Sequence, residues 1–168
     1  PIIPGYETVN GSLGHGAGVA TGIALGLKRK NSQKSVFVVT GDGELHEGAN
    51  WEAFMFASQH SLDNLNLVVD NNGICMLGHT NTIVSHESLS TRLKGFGWDC
   101  QEVDGHDISA VTNALQNMKY KTEGKPKALI ANTLKGRGVP GLENAPLSHI
   151  LNPKPDLLRN LIAEDKED

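Results

Sequence analysis

Two short apolar runs, Val36 to Thr40 and Leu65 to Val69, each stop at a cluster of turn-forming, oxygen-bearing residues. The first runs into Gly41-Asp42-Gly43-Glu44-Leu45-His46-Glu47-Gly48, the second into Asp70-Asn71-Asn72-Gly73-Ile74, and Asp42 and Asn72 stand about thirty residues apart with one helical stretch between them. Apolar strands joined through a helix become neighbouring parallel strands of an α/β sheet. Asp42 and Asn72 then emerge at the carboxyl ends of adjacent strands, where open α/β sheets place ligands.

The chemistry at those two ends suits a hard cation carrying a diphosphate. Asp42 offers a carboxylate and Asn72 an amide oxygen, and the turn after Asn72 can aim the backbone carbonyl of Ile74 at the same point. Mg²⁺, with Ca²⁺ as the alternative, accepts such oxygens and completes its shell with phosphate and water. Glycines on both sides of Asp42 admit a phosphate close to the main chain, and the N–H groups of the following helix can donate to it. Taken singly, Gly-Asp-Gly and Asn-Asn-Gly are ordinary turn compositions; their joint spacing after two strands gives them weight.

The rest of the chain alternates helix and strand. Leu13 to Lys30 carries small and apolar residues at helical intervals and closes on Lys28, Arg29 and Lys30, which favour a helix C-terminus. Glu47 to His60 places Trp51, Phe54, Met55 and Ser58 on one face, so Phe54 and Met55 are expected in the core. Asn71 to Ser85 reads as a functional loop. Ser88 to Lys94 is expected as a helix, Trp98 to Val103 as a strand, Ile108 to Tyr120 as a helix and Lys127 to Asn132 as a strand. The order predicts a three-layer α/β fold, a parallel sheet with helices on both faces. Residues 1–135 form the expected diphosphate- and metal-binding domain. Residues 136–168 form a Pro-rich tail of the same domain, ending in a short helix near Asp156 to Ala163.

Composition excludes several classes. A chain of 168 residues with 38% apolar and 20% charged residues can bury one α/β core. A formal charge of −4 gives no basic footprint for nucleic acid or an anionic membrane, and no apolar run reaches the length of a membrane span. Cys75 and Cys100 lack metal-type spacing and are expected as free thiols in the cytoplasm. Gly136-Arg137-Gly138-Val139-Pro140-Gly141 fits G-x-G-x-x-G, but Pro140 and the segment after it argue against a long phosphate-binding helix.

With these residues in view, the chain resembles the transketolase family. Gly-Asp-Gly followed by Asn-Asn is similar to the thiamine diphosphate signature, and GDGELHEGANWEA resembles its transketolase branch. NGSLGHGAGVATGIALGLK, WDCQEVDGHD and IANTLKGRGVPGLEN extend the likeness over nearly the whole chain, in particular to the diphosphate-binding half of split transketolases.

The resemblance implies metal ligands at Asp42, Asn72 and the backbone of Ile74. It implies cofactor contacts at Gly11, Ser12, Leu13, Gly43, Glu44, Asn72 and His149, with Leu13 beside the cofactor's rings; by its type alone Leu13 would be core. Glu47 matches a glutamate that communicates with a catalytic glutamate of a partner domain, and as a first-turn residue it also suits the helix macrodipole. His149 matches either a histidine near diphosphate and substrate or an exposed tail histidine. His15 and His46 stand where relatives often have glutamine, and His46 is expected to support the motif rather than react. Leu77 replaces a common aspartate, which bears on substrate preference.

The implied activity is transfer of a two-carbon ketol unit between sugar phosphates, with thiamine diphosphate and Mg²⁺ as cofactors. The catalytic glutamate must come from a complementary pyrimidine-binding subunit or domain, so a homo- or hetero-oligomer is expected. A region preceding the Gly-Ser-Leu-Gly stretch, which supplies substrate-binding histidines in the family, is missing, so the chain is expected to be a fragment or a short subunit. A 1-deoxyxylulose-5-phosphate synthase, a 2-oxo acid decarboxylase component and a non-catalytic cofactor-binding module are the alternatives.

Overall fold

A computed structural model describes residues 5–85, 88–121, 123–145, 147–150 and 152–164. Four parallel strands, β1 (Val36–Gly41), β2 (Leu65–Asn71), β5 (Asp99–Asp104) and β6 (Lys127–Asn132), form one sheet in the order β1-β2-β6-β5. A two-residue hairpin, β3 (Ile74–Cys75) with β4 (Gly78–His79), stands apart from it. The helices are α1 (Gly16–Arg29), α2 (Gly48–Gln59), α3 (Thr80–Ile83), α4 (Leu89–Gly95), α5 (Ile108–Tyr120) and α6 (Pro155–Glu164). A 3₁₀ turn over Gly43–His46 links β1 to α2.

The side-chain alternation of β2 divides the core. Leu65, Leu67 and Val69 are buried against α1, α2 and α4, together with Ala17, Ala24, Phe54, Ala57 and Leu93. Phe54 meets Trp51 and Trp98 edge-on, with centroids 5.6 and 5.2 Å apart, and the Trp98 indole donates to the Phe54 carbonyl at 3.0 Å. Such rings bury large area and still satisfy the one polar group they carry. On the opposite face α5 packs Ala114 and Met118 against Leu129.

Two expectations need correction. Met55 is 48% exposed, and the α2 core face is Asn50, Ala53, Phe54 and Ala57 instead. Helices lie on both faces as expected, with the second face covered over β2, β6 and β5, while Phe37 and Val39 of β1 remain 42% and 68% exposed there. The 71–85 segment also holds more order than a loop, since β3, β4 and α3 fall inside it. Gly73, with φ of 76°, and Gly78, with φ of 134°, turn the chain back there, and Thr80 N–H bonds to the Gly73 carbonyl at 2.9 Å.

Capping explains several boundaries. The Ser88 hydroxyl accepts from Thr91 N–H at 3.1 Å, and the Asp107 carboxylate from Ala110 N–H at 2.9 Å, opening α4 and α5. At the amino ends of the strands, Lys28 pairs with Asp63 at 2.7 Å and bonds the Ser61 carbonyl. Lys127, 3% exposed, donates its ammonium to the main-chain carbonyls of Asp63 and Lys121. Burial holds the Lys127 ammonium below the usual lysine range.

Candidate active site

At the carboxyl edge the strands end in register: Gly41 lies opposite Asp70, Asn71 opposite Asn132, and Asn132 opposite Asp104. The ladder carries on one step further, with Asp42 N–H donating to the Asp70 carbonyl at 3.0 Å. Asp42 and the Asn72 turn are therefore set side by side by the sheet itself. Both line a crevice of about 330 Å³ with Gly73, Thr80, Asn81 and Thr133.

Asp42 is 2% exposed. Its Oδ2 accepts from Gly73 N–H at 3.0 Å and from the Thr80 hydroxyl at 2.8 Å, while its buried Oδ1 takes no hydrogen bond among the described residues. A carboxylate oxygen buried without a donor costs about 1–3 kcal/mol or more. Among the explanations for such an orphan, an ion absent from the structure fits an acceptor-only group at a strand end. The residues present thus suit a hard cation: a carboxylate oxygen, the Asn72 amide and the carbonyl of buried Ile74 are all oxygen donors of the kind Mg²⁺ and Ca²⁺ take.

The Asn72 amide is held at both ends. Its Nδ2 donates to Asp70 Oδ2 at 2.9 Å, and its Oδ1 accepts from Ile74 N–H at 3.0 Å. Gly43 lies where a side chain would not fit, since a Cβ there would fall 2.6 Å from the Cβ of Cys75. The main chain of the 3₁₀ turn at Gly43 consequently packs against Cys75 of the hairpin. Glu44 reaches the other way: its Oε1 accepts from Gly14 N–H at 3.1 Å, tying the loop of Gly11, Ser12 and Leu13 to the Asp42 motif.

Leu13 is 54% exposed, so the core assignment that its type suggests does not hold. Glu47 caps α2 with extended backbone (φ −76°, ψ 120°) and an exposed side chain that makes no capping bond. His46 Nε2 lies 3.2 Å from the Val84 carbonyl, bracing the motif against the end of α3. His15 occupies the N-cap position of α1 without a side-chain cap. His149 is exposed in the turns after β6 and does not line the crevice. Leu77 sits exposed in the β3–β4 hairpin.

Sequence reading missed Asp70, Thr80 and Thr133. Thr80 was hidden because its partner Asp42 is thirty-eight positions away. The Gly136–Gly141 stretch forms successive turns, with positive φ at Gly136, Gly138 and Gly141, and no helix follows it directly. A larger groove of about 590 Å³ opens at the other end of the sheet beside Asp99, Gln116, Lys121 and Lys127, and shares no residue with the crevice.

Residues 2–154 match the family described as "Transketolase, thiamine diphosphate binding domain". The chain belongs to the transketolase family. Among the relatives of this transketolase-family chain is an apulose-4-phosphate transketolase subunit of Actinobacillus succinogenes, 39% identical over 165 residues that cover 98% of the chain and 59% of that protein. A 6-deoxy-6-sulfo-D-fructose transketolase subunit of a Clostridium species is 34% identical over 160 residues, covering 95% and 58%. The chain thus spans a little under three fifths of these relatives. The solved transketolase of Campylobacter jejuni superposes with a TM-score of 0.82 at 28% identity, over 95% of this chain and 26% of that one. The α/β fold expected from the sequence is the fold of these transketolases.

Proposed function

We propose that this chain is the thiamine diphosphate- and Mg²⁺-binding part of a transketolase-like enzyme that moves a two-carbon ketol unit between sugar phosphates. The observation that carries this reading is the buried Asp42 carboxylate, one oxygen held by Gly73 and Thr80 and the other bare, beside the Asn72 turn. Asp42, Asn72 and the Ile74 carbonyl would hold the metal, and the metal would hold the diphosphate. The Gly43 N–H, at the start of the 3₁₀ turn, would donate to a phosphate oxygen. Gly11, Ser12 and Leu13, fixed to Glu44 through Gly14, would flank the ring end of the cofactor, where the exposed Leu13 side chain offers apolar surface.

When bound, thiamine diphosphate would supply the nucleophilic carbon and the electron sink that ketol transfer requires. This chain's residues anchor, orient and exclude water at the phosphate end. The group that activates the reactive ring would come from a complementary pyrimidine-binding subunit or domain, and Glu47, exposed at the N-terminus of α2, would meet it. Relatives that are themselves named as transketolase subunits support an assembly of more than one chain. The geometry lends no support to His149 as a catalytic group. The open hairpin around Leu77 and the unlike sugars in the relatives' names leave the sugar pair to be assayed.

Isothermal calorimetry with thiamine diphosphate and Mg²⁺ tests the reading. Binding should be weak for the chain alone and tightened by its complementary subunit, and Asp42→Ala should remove its metal dependence. Ketol transfer should appear only when both are mixed. Absence of binding in every combination would sink the cofactor assignment.

A further inference from the structure

The strand-end motif Asp104-Gly105-His106-Asp107 has no part in the function proposed above, yet hydrogen bonds lead from it to the metal site. Gly105 N–H donates to the Asn132 carbonyl at 2.8 Å, and His106 N–H to the Asp104 carboxylate at 2.8 Å. His106 Nε2 accepts from Leu134 N–H at 2.7 Å, which requires a neutral imidazole with its proton on Nδ1. A Cβ on Gly105 would stand 2.4 Å from Thr133 Cγ2, so Thr133 rests directly on the glycine. Thr133 N–H in turn bonds the Asn71 carbonyl at 3.2 Å, and its hydroxyl donates to Asp70 Oδ1.

Asp70 is the point where this chain of contacts reaches the site. Its second oxygen, Oδ2, takes the Asn72 Nδ2 proton at 2.9 Å. An amide is nearly symmetric in shape, and only its partners decide which end is oxygen. A carboxylate can only accept, so Asp70 draws Nδ2 toward itself, and Oδ1 faces the other side, where it also accepts from Ile74 N–H at 3.0 Å. Both Asp70 oxygens are engaged within the protein, Oδ1 by the Thr133 hydroxyl and Oδ2 by the Asn72 amide.

We infer that Asp70 is a positioning residue that sets the amide of Asn72 so that its oxygen serves a cation, and that Thr133, braced by Gly105 and the His106–Leu134 bond, keeps Asp70 in place. The inference rests on the metal-site reading. Partners of metal-binding side chains commonly change affinity by about 10–100-fold when removed.

Titrate Mg²⁺ in the presence of thiamine diphosphate into the full chain with its complementary subunit, using wild type, Asp42→Ala, Asp70→Asn, Asn72→Ala and the Asp70→Asn/Asn72→Ala pair. Asp70→Asn keeps shape but removes the acceptor that demands Nδ2, leaving Ile74 N–H as the partner that still selects the oxygen, and Mg²⁺ affinity should fall about 10-fold. In the Asn72→Ala background the same change should cost less than about 2-fold, because its route to the metal is already gone. Thr133→Val should weaken Mg²⁺ binding and Thr133→Ser should restore it, which keeps the test alive if Asp70→Asn does not fold. Full additivity of the pair, or unchanged affinity in both Asp70→Asn and Thr133→Val while Asp42→Ala loses binding, would overturn the positioning role and leave the metal site standing. Unchanged affinity in Asp42→Ala would overturn both.

Discussion

Replacing Asp42 with asparagine separates what the carboxylate does for the fold from what it does for a cation. Oδ2 already receives Gly73 N–H and the Thr80 hydroxyl, and Oδ1 receives no donor among the described residues. Asparagine, of the same shape, keeps one oxygen under those two donors and sets an uncharged NH₂ where the bare oxygen stood. A buried orphan costs about 1–3 kcal/mol and more when charged, so neutralising it favours the metal-free fold. The two remaining hydrogen bonds lose their ionic partner and about half their strength, which limits the net gain to about 1 kcal/mol. For a chain of this size that is about 2–4 °C in melting temperature. In EDTA, Asp42→Asn should therefore melt at or slightly above wild type. With Mg²⁺ and thiamine diphosphate at about 100 times their Kd, wild type should gain about 2.7 kcal/mol, or roughly 5–11 °C, and the variant nothing. Thermal melts of both proteins with the proposed complementary subunit, with and without ligand, give all four numbers. A variant several degrees below wild type in EDTA would show that the charge serves the protein's own donors. An equal rise with ligand would remove Asp42 from the cation site.

Other changes test the packing around that site. Gly105→Ala should destabilise by about 1–3 kcal/mol, since its new methyl meets Thr133, Ala131 and the Asn132 carbonyl at once, and urea melts will show it as a lowered midpoint. Phe54→Ala should cost about 3–5 kcal/mol by emptying the space between Trp51 and Trp98. Burial pushes the Cys100 thiol up to about 12, so iodoacetamide at pH 8 should label Cys75 first, as peptide mapping can verify. Because that shift keeps the folded thiol protonated while the unfolded one ionises near 8.5, the Cys100 contribution is flat below that pH. It should cost stability progressively as pH climbs toward 12, and Cys100→Ala should flatten that decline.

Strand positions were legible because alternation and run length belong to the local sequence: β6 and α5 begin and end where the pattern placed them. The Asp42–Asn72 pairing was legible for a related reason, since strand, helix and strand in that order leave little choice about which ends meet. Met55 was misplaced because helical spacing marks two adjacent stripes of α2 equally well, and only the sheet's position selects Ala53 and Ala57 over it. Phe37 and Val39 alternate like covered residues, yet whether a helix lies over them depends on elements remote in sequence. Asp70, Thr80 and Thr133 were illegible for the same reason. Each is an ordinary polar residue until the third dimension supplies its partner.

The ammonium of Lys127, stapled to two loop carbonyls, lies at the opposite end of the sheet from the bare oxygen of Asp42. The amino rim holds a buried ammonium bonded within the protein, and the carboxyl rim a buried carboxylate oxygen that takes no hydrogen bond among the described residues. Randomising residues of the Asp42 rim should therefore alter ligand preference with little loss of soluble yield, whereas the same effort at the Lys28, Asp63 and Lys127 rim should lower yield and leave preference as it was. For anyone altering what this chain binds, the two rims mark which half of the surface to edit.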